Sequence, residues 1–191
     1  MTLTSPDTLA LLQRRRSVAP AALTGPGPTP EELAVLLGIA VRVPDHGKLA
    51  PWRFIVFEGE GRHRAGQAIA AVFAEDSPAA DAGRLAQESR RLALAPLVIA
   101  VVSAAQPHVK IPEWEQRMSA AAAATLLVVA ANAMGFGTAW LTEWYGYDRR
   151  VLTRLGLAAH ERITGFIHIG RAAAPPEDRP RPNLADKVTH F

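Results

Sequence analysis

Apolar and polar residues follow two periods along this 191-residue chain, and the switches between the periods mark its elements. Ser5-Pro6-Asp7 reads as an N-cap followed by proline at the first helical position. It opens a helix through about Arg15, with Leu9 and Leu12 facing the core. Residues 20–28, rich in Pro and Gly, read as a loop. Thr29-Pro30-Glu31-Glu32 combines an N-cap, an N1 proline and a capping-box glutamate. Leu33, Leu36, Leu37 and Ala40 then recur at helical spacing until Pro44 stops the helix. Residues 52–57 are an aromatic and β-branched run between Pro51 and Gly59, which predicts a buried strand. Helical patterns follow at about 62–73 and 81–94. The all-apolar run 97–102 is a second strand, and its lack of alternation predicts cover on both faces. Pro112 opens a long helix to about Met134, ended by Gly135 and Gly137. Residues 138–142 and 163–169 read as strands on either side of a short helix at 148–155. The tail from Pro175 is proline-rich and polar until Val188 and Phe191, which predicts a segment running extended over a neighbouring surface. Strands interleaved with helices predict one mixed α+β domain over 1–191.

Composition narrows the class. Hydrophobic residues make up 49% of the chain and charged ones 20%, and a domain of this length folds without disulfides or a structural metal. Cysteine is absent, which excludes disulfide frameworks, thiolate zinc sites, iron–sulfur clusters and cysteine nucleophiles. No basic segment followed by an apolar one opens the chain. The longest nearly apolar run, 120–131, is shorter than the roughly 18–20 residues of a membrane span. The expectation is a soluble, cytoplasmic protein with no membrane partner. The pI near 9.8 invites a nucleic-acid reading, yet 21 basic against 18 acidic residues leave a net charge of only +3. Apart from Arg14-Arg15-Arg16 the arginines alternate with acids, too thin a pattern for a stripe that tracks phosphates. No nucleic-acid partner is expected.

The candidate chemistry is sparse. Arg14-Arg15-Arg16-Ser17 at a helix end is either a phosphate cradle or a solvated cluster complementing the helix dipole. Pro44-Asp45-His46-Gly47 places a titratable pair on a loop; equally, its aspartate caps backbone N–H groups in a turn. Gly135-Phe136-Gly137 follows a helix rather than a strand, so it reads as a C-cap and tight turn, not a dinucleotide fingerprint. The six histidines are scattered without metal-ligand spacing, and neither a GxSxG elbow nor a Walker loop occurs. With no motif for an acid, base, nucleophile or metal set, a bound cofactor carrying its own chemistry is the natural enzyme hypothesis.

Several segments, taken in order, carry a resemblance. They are Arg15-Arg16-Ser17, Arg42-Val43-Pro44-Asp45-His46, Pro51-Trp52, the KIPEWEQRMSA stretch at 110–120, GFGTAW at 135–140 and GFIHIG at 165–170. Over roughly 9–191 the chain resembles the nitroreductase family of flavoproteins, specifically its small YdjA-like subfamily. The resemblance implies an α+β fold with a mostly antiparallel central sheet flanked by helices. It also implies an intertwined homodimer, FMN held non-covalently at the subunit interface, and a C-terminal tail (about 172–191) reaching over the partner. Carried over by position, Arg15, Arg16 and Ser17 would hold the ribityl phosphate and the polar flavin edge. Arg42 and His46 would contribute from the loop before Pro51-Trp52, from the same subunit or the other. Trp140, Leu141 and Thr142 would line the flavin, and 130–135 matches a segment assigned to nicotinamide nucleotide contacts. The implied reaction is ping-pong. NADH or NADPH reduces the flavin, then a nitroaromatic, quinone or similar acceptor takes two electrons, with no catalytic side chain required.

Two departures bear on activity. Residues 47–50 carry no side-chain amide where many members have asparagine and glutamine, and Leu141 stands where the subfamily has arginine. They leave open a member with other flavin chemistry (dehalogenation, flavin fragmentation) or a flavin-binding protein of low turnover.

Overall fold

The computed structural model describes residues 4–174 and 176–191; residues 1–3 and Pro175, where the tail was expected to begin, lie outside the described residues. In chain order the elements are α1 (Pro6–Arg14), β1 (Leu23–Thr24), α2 (Pro30–Ala40), β2 (Trp52–Glu58), α3 (Glu60–Asp76), α4 (Ala82–Ser89), β3 (Leu97–Ser103), α5 (Glu113–Ala133), β4 (Gly137–Leu141), α6 (Arg149–Arg154) and β5 (Arg162–Ala172). Strand β5 is the axis of the sheet. It pairs with β3 and β4, β2 adds outside β3, and β1 joins at the end of β5. Every one of these ladders is antiparallel, as expected.

All of β3 is buried, and alternate residues serve opposite cores. Leu97, Ile99 and Val101 pack with Leu36 of α2, Leu127 of α5, and Ile167 and Ile169. Val98, Ala100 and Val102 pack with Ile69 and Val72 of α3, Leu152 of α6, Tyr145 and Phe166. Helices on both faces are why the run lacks polar alternation. Helix α5 buries Gln116, Ser119, Ala120, Ala123, Ala124, Leu127, Ala130 and Ala131, a stripe at helical period in which five of eight residues are alanine. Small side chains on that stripe let α5 lie close against the sheet. The opposite face leaves Trp114 and Met118 exposed. At the start of α2 the capping box forms as predicted. Glu32 N–H donates to Thr29 Oγ1 (3.2 Å) and Thr29 N–H to Glu32 Oε2 (2.8 Å).

Five expectations need correction. Strand β2, predicted to be buried, is an edge strand in which Phe57 alone is buried and residues 52–56 are half-buried. Leu9 and Leu12 do not face the core of this chain: they are 60% and 49% exposed, and α1 buries no residue. The helix lies against α5 at the rim, and no second layer covers it among the described residues. The supposed loop at 20–28 contains β1, whose two residues carry too little pattern to be seen in sequence. Helix α4 ends at Ser89, and the chain continues in turns that still bury Leu92. Strand β4 ends at Leu141, so Thr142 lies just beyond it. No helix among the described residues is long and apolar enough to cross a membrane.

Candidate functional site

The arginine segment reaches the sheet through one pairing. Ser17 bridges Thr138 in parallel, and Val18 N–H donates to Thr138 O (2.9 Å), so the chain after α1 runs along the outer edge of β4. This places the half-buried Arg15 between two cavities. One, about 350 Å³, is also lined by Arg14, Arg16, Asn132, Gly135 and Phe136, and by no carboxylate. The other, about 200 Å³, is also lined by Ser17, Thr125, Val128, Thr138 and Trp140. The Nε of Arg15 is buried with no hydrogen-bond partner among the described residues. A buried N–H donor without an acceptor is costly in a folded chain, so this arginine is arranged for an acceptor that the polypeptide does not supply. Arg16 is tied to the tail: its Nε donates to Glu177 O (3.2 Å) and lies 3.7 Å from Asp178 Oδ1.

Trp140 is held in place by a glycine. Its indole N–H donates to Thr164 O (3.1 Å), and a Cβ at Gly165 would stand 2.0 Å from Trp140 Nε1. Leu141, opposite Phe166 in the ladder, and Thr142 line neither cavity. At the turn after α5, Asn132 Nδ2 donates to Phe136 O (3.0 Å) and Thr138 Oγ1 (3.1 Å), while Gly135 adopts φ 80° as the expected C-cap. Ala130 and Ala131 are buried in the core. Of the segment expected to meet a nucleotide, Asn132 and Gly135 line the larger cavity.

His46, on the loop that follows Arg42, lies at the other end of α5. His46 Nδ1 is 2.6 Å from Glu115 Oε2, beside a cavity of about 320 Å³ lined also by Pro44, Trp114 and Met118. Arg42 is exposed. The aspartate of this loop acts as a cap, since Asp45 accepts from the N–H groups of Leu49 (3.2 Å) and Ala50 (2.8 Å). Gly47, Lys48 and Ala50 take φ of 72°, 54° and 46°. Left-handed conformations at two non-glycine residues are strain of the kind concentrated at functional loops. Ser119 donates to Pro44 O (2.8 Å) and accepts from Trp52 Nε1 (3.0 Å). Gln116 Nε2 donates to Gln106 O (2.9 Å) and Ile111 O (3.3 Å). Glu115, Gln116 and Ser119 thus brace the two loops around the N-terminal end of α5, a role that sequence reading did not assign. From Glu115 to Val128 the helix rises ~20 Å, so one chain does not bring His46 and Arg15 into the same cavity.

The frame holds several perturbed groups. His168 is fully buried, neither ring nitrogen has a partner, and burial alone pushes its pKa down to about 4. Arg53 donates to Glu161 through Nε (2.6 Å) and Nη2 (2.7 Å), which holds that carboxyl down to about 2.

Sheet and helices define an α+β protein of nitroreductase-like architecture, with a candidate site in the basic cavities at the C-terminal end of its long helix. The chain belongs to the nitroreductase family, a family of oxidoreductases: the profile described as "Nitroreductase family" matches residues 12–171. Over 166 residues it is 38% identical to "Putative NAD(P)H nitroreductase YdjA" of Escherichia coli (strain K12), covering 86% of this chain and 87% of that one. It superposes with a TM-score of 0.86 and 27% identity on the nitroreductase-like family protein from Bacillus cereus, covering 100% of this chain and 98% of the other. A mutant of the FMN and NADPH-dependent nitroreductase NfnB from sphigopyxis sp. strain HMH matches at a TM-score of 0.71 and 25% identity, covering 96% and 98%.

Proposed function

We propose that the protein is an FMN-dependent oxidoreductase that uses NADH or NADPH to reduce nitroaromatic, quinone or similar acceptors by two electrons. The observation that carries this reading is the buried, partnerless Nε of Arg15 in a wall shared by two cavities. A phosphate dianion beside Ser17 is the acceptor such a guanidinium lacks. The residues present therefore fit FMN, held without a covalent bond. Arg15 and Ser17 would hold the phosphate and ribityl end, with Arg16 joining once released from the tail. Trp140 would wall the slot, with Leu141 and Thr142 beyond it. FMN, when bound, would supply the redox chemistry, a two-electron transfer between NAD(P)H and the acceptor in ping-pong order. For a nitro group, one NAD(P)H and one proton yield the nitroso compound, NAD(P)+ and water. Arg16 and Arg42 would supply the positive field that stabilises negative charge arising at the site. No side chain need act as an acid, because the acceptor takes its proton from water.

A second copy completes the site in this reading. Arg15 and His46 sit at opposite ends of α5, and a twofold axis across α5 sets the His46 end of one copy beside the Arg15 end of the other. Exposed Leu9, Leu12, Trp114, Leu184, Val188 and Phe191 are the apolar surface that such a homodimer would cover, with the tail at about 172–191 reaching over the partner. Residues 1–191 then act as one domain, in the cytoplasm. Flavin absorbance, with FMN released on denaturation and bleaching by NADH or NADPH without oxygen, tests the assignment. Arg15→Ala is expected to weaken FMN binding by about 1.5–3 kcal/mol. Full flavin occupancy in that variant would assign the phosphate role elsewhere. A 20.5 kDa monomer that keeps its FMN in sedimentation would refute the shared site.

A further inference from the structure

A cavity of about 500 Å³ adjoins the proposed flavin slot, lined in part by Ser103, Met118, Tyr147, Arg162 and Thr164. Two features make the two spaces neighbours. Trp140, which walls the slot, donates its indole N–H to the backbone carbonyl of Thr164 in the lining of the larger cavity. On α5, Ala121 lines the larger cavity and Thr125 the slot, one helical turn apart. The volume lies within the roughly 300–1,000 Å³ of small-molecule sites.

The chemistry of the walls is asymmetric. Met118 and Tyr147 offer exposed apolar and aromatic surface. Ser103 is only 7% exposed, and neither its hydroxyl nor that of Thr164 makes a hydrogen bond among the described residues. Arg162 uses one terminal nitrogen, Nη1, for the carbonyls of Ala159 (2.7 Å) and Glu161 (2.8 Å), and has no carboxylate partner among the described residues. The second guanidinium of the cavity, Arg117, is already neutralised by Glu113 (2.9 Å). No aspartate or glutamate lines the space. The apolar surface of Met118 and the ring of Tyr147 suit an aromatic ligand, and the free donors of Arg162 suit a planar anionic group on it.

We propose that this cavity receives the electron acceptor and that Arg162 makes it select aromatic acceptors carrying a carboxylate. The electron transfer rests on the flavin reading; the binding of the anion does not. With nitrobenzoate the balance is that of any nitroarene: the nitro group takes two electrons from NAD(P)H and two protons, and leaves as nitroso compound and water.

The test separates the two readings. FMN-loaded protein is titrated calorimetrically with naphthoate and with its uncharged counterpart naphthalenemethanol, neither of them reducible at the flavin, while FMN content is read from visible absorbance. The wild type is expected to bind the carboxylate about tenfold or more tightly than the alcohol. Arg162→Gln is expected to lose that preference with FMN content unchanged, and kcat/KM for nitrobenzoate over nitrobenzyl alcohol falls in step. Where Arg162→Gln does not fold, Arg162→Lys keeps the charge with fewer donors and shows a partial loss, and the two-ligand comparison on wild type needs no variant. Equal binding of both ligands, binding of neither by the FMN-loaded wild type, or a preference that survives Arg162→Gln overturns the proposal. Naphthoate binding through Arg162 in a protein that takes up no FMN would refute the flavin reading and support the anion cavity.

Discussion

Lowering the pH from 7 to 5 should destabilise the protein through one residue. His168 is fully buried on β5, both of its ring nitrogens lack partners, and burial lowers its pKa from the ordinary 6.5 to about 4. The folded state therefore keeps the imidazole neutral while the unfolded chain takes up a proton first. Stability falls as the pH drops below about 6.5 and stops falling from this source near pH 4. At roughly 1.4 kcal/mol per tenfold change in proton affinity, the whole interval is worth about 3 kcal/mol. About 2 kcal/mol of it is lost by pH 5. His168→Leu removes the titration and a pair of unsatisfied nitrogens, so it should be neutral or stabilising at pH 7. The assay is urea unfolding of both proteins at pH 7 and 5, at one protein concentration and without added FMN. Asp148 and Glu161 are held at about 2 and titrate alike in both, so they cancel in the difference. Parallel loss of stability in wild type and variant would refute the argument.

Two further outcomes follow from the site. Gly165→Ala places a Cβ 2.0 Å from Trp140 Nε1, so the indole must leave Thr164; the variant should lose about 1–3 kcal/mol and bind FMN more weakly, and wild-type melting with wild-type FMN affinity would contradict the geometry. His46→Asn breaks the 2.6 Å contact with Glu115 and should cost FMN affinity while leaving acceptor turnover at saturating FMN almost unchanged. A drop of about 100-fold or more at saturation would instead make His46 an acid.

What the sequence made legible was local. The apolar runs of β2 and β3 and the box at Thr29 are patterns complete within a few residues. Periodicity showed that α1 has an apolar face through Leu9 and Leu12, but not what covers that face. The cavities around Arg15 were not legible, because Ser17 meets Thr138 through a bridge between segments far apart in the chain. Thr125, Val128 and Asn132, which line those cavities, look in sequence like any other turns of a core helix. His168 falls within an apolar strand, and the sequence does not show that its ring nitrogens go unanswered among the described residues. The alternative of a capping aspartate, left open by the sequence, is the one that Asp45 adopts.

The alanine-rich stretch of α5 carries more geometry than its composition suggests. Ala120, Ala123, Ala124 and Ala131 are fully buried against the sheet, where each added methylene must displace a neighbour. At one end of the same rigid element Glu115 and Ser119 hold His46 and Pro44; at the other Asn132 holds Phe136 and Thr138. A larger residue at Ala123 or Ala124 would cost about 1–3 kcal/mol and lift the helix from the sheet. The bracing contacts at both ends would then shift together, although neither alanine touches a cavity. The height of both halves of the proposed site above the sheet is thus set by how closely one helix can approach one sheet, and small side chains set that approach.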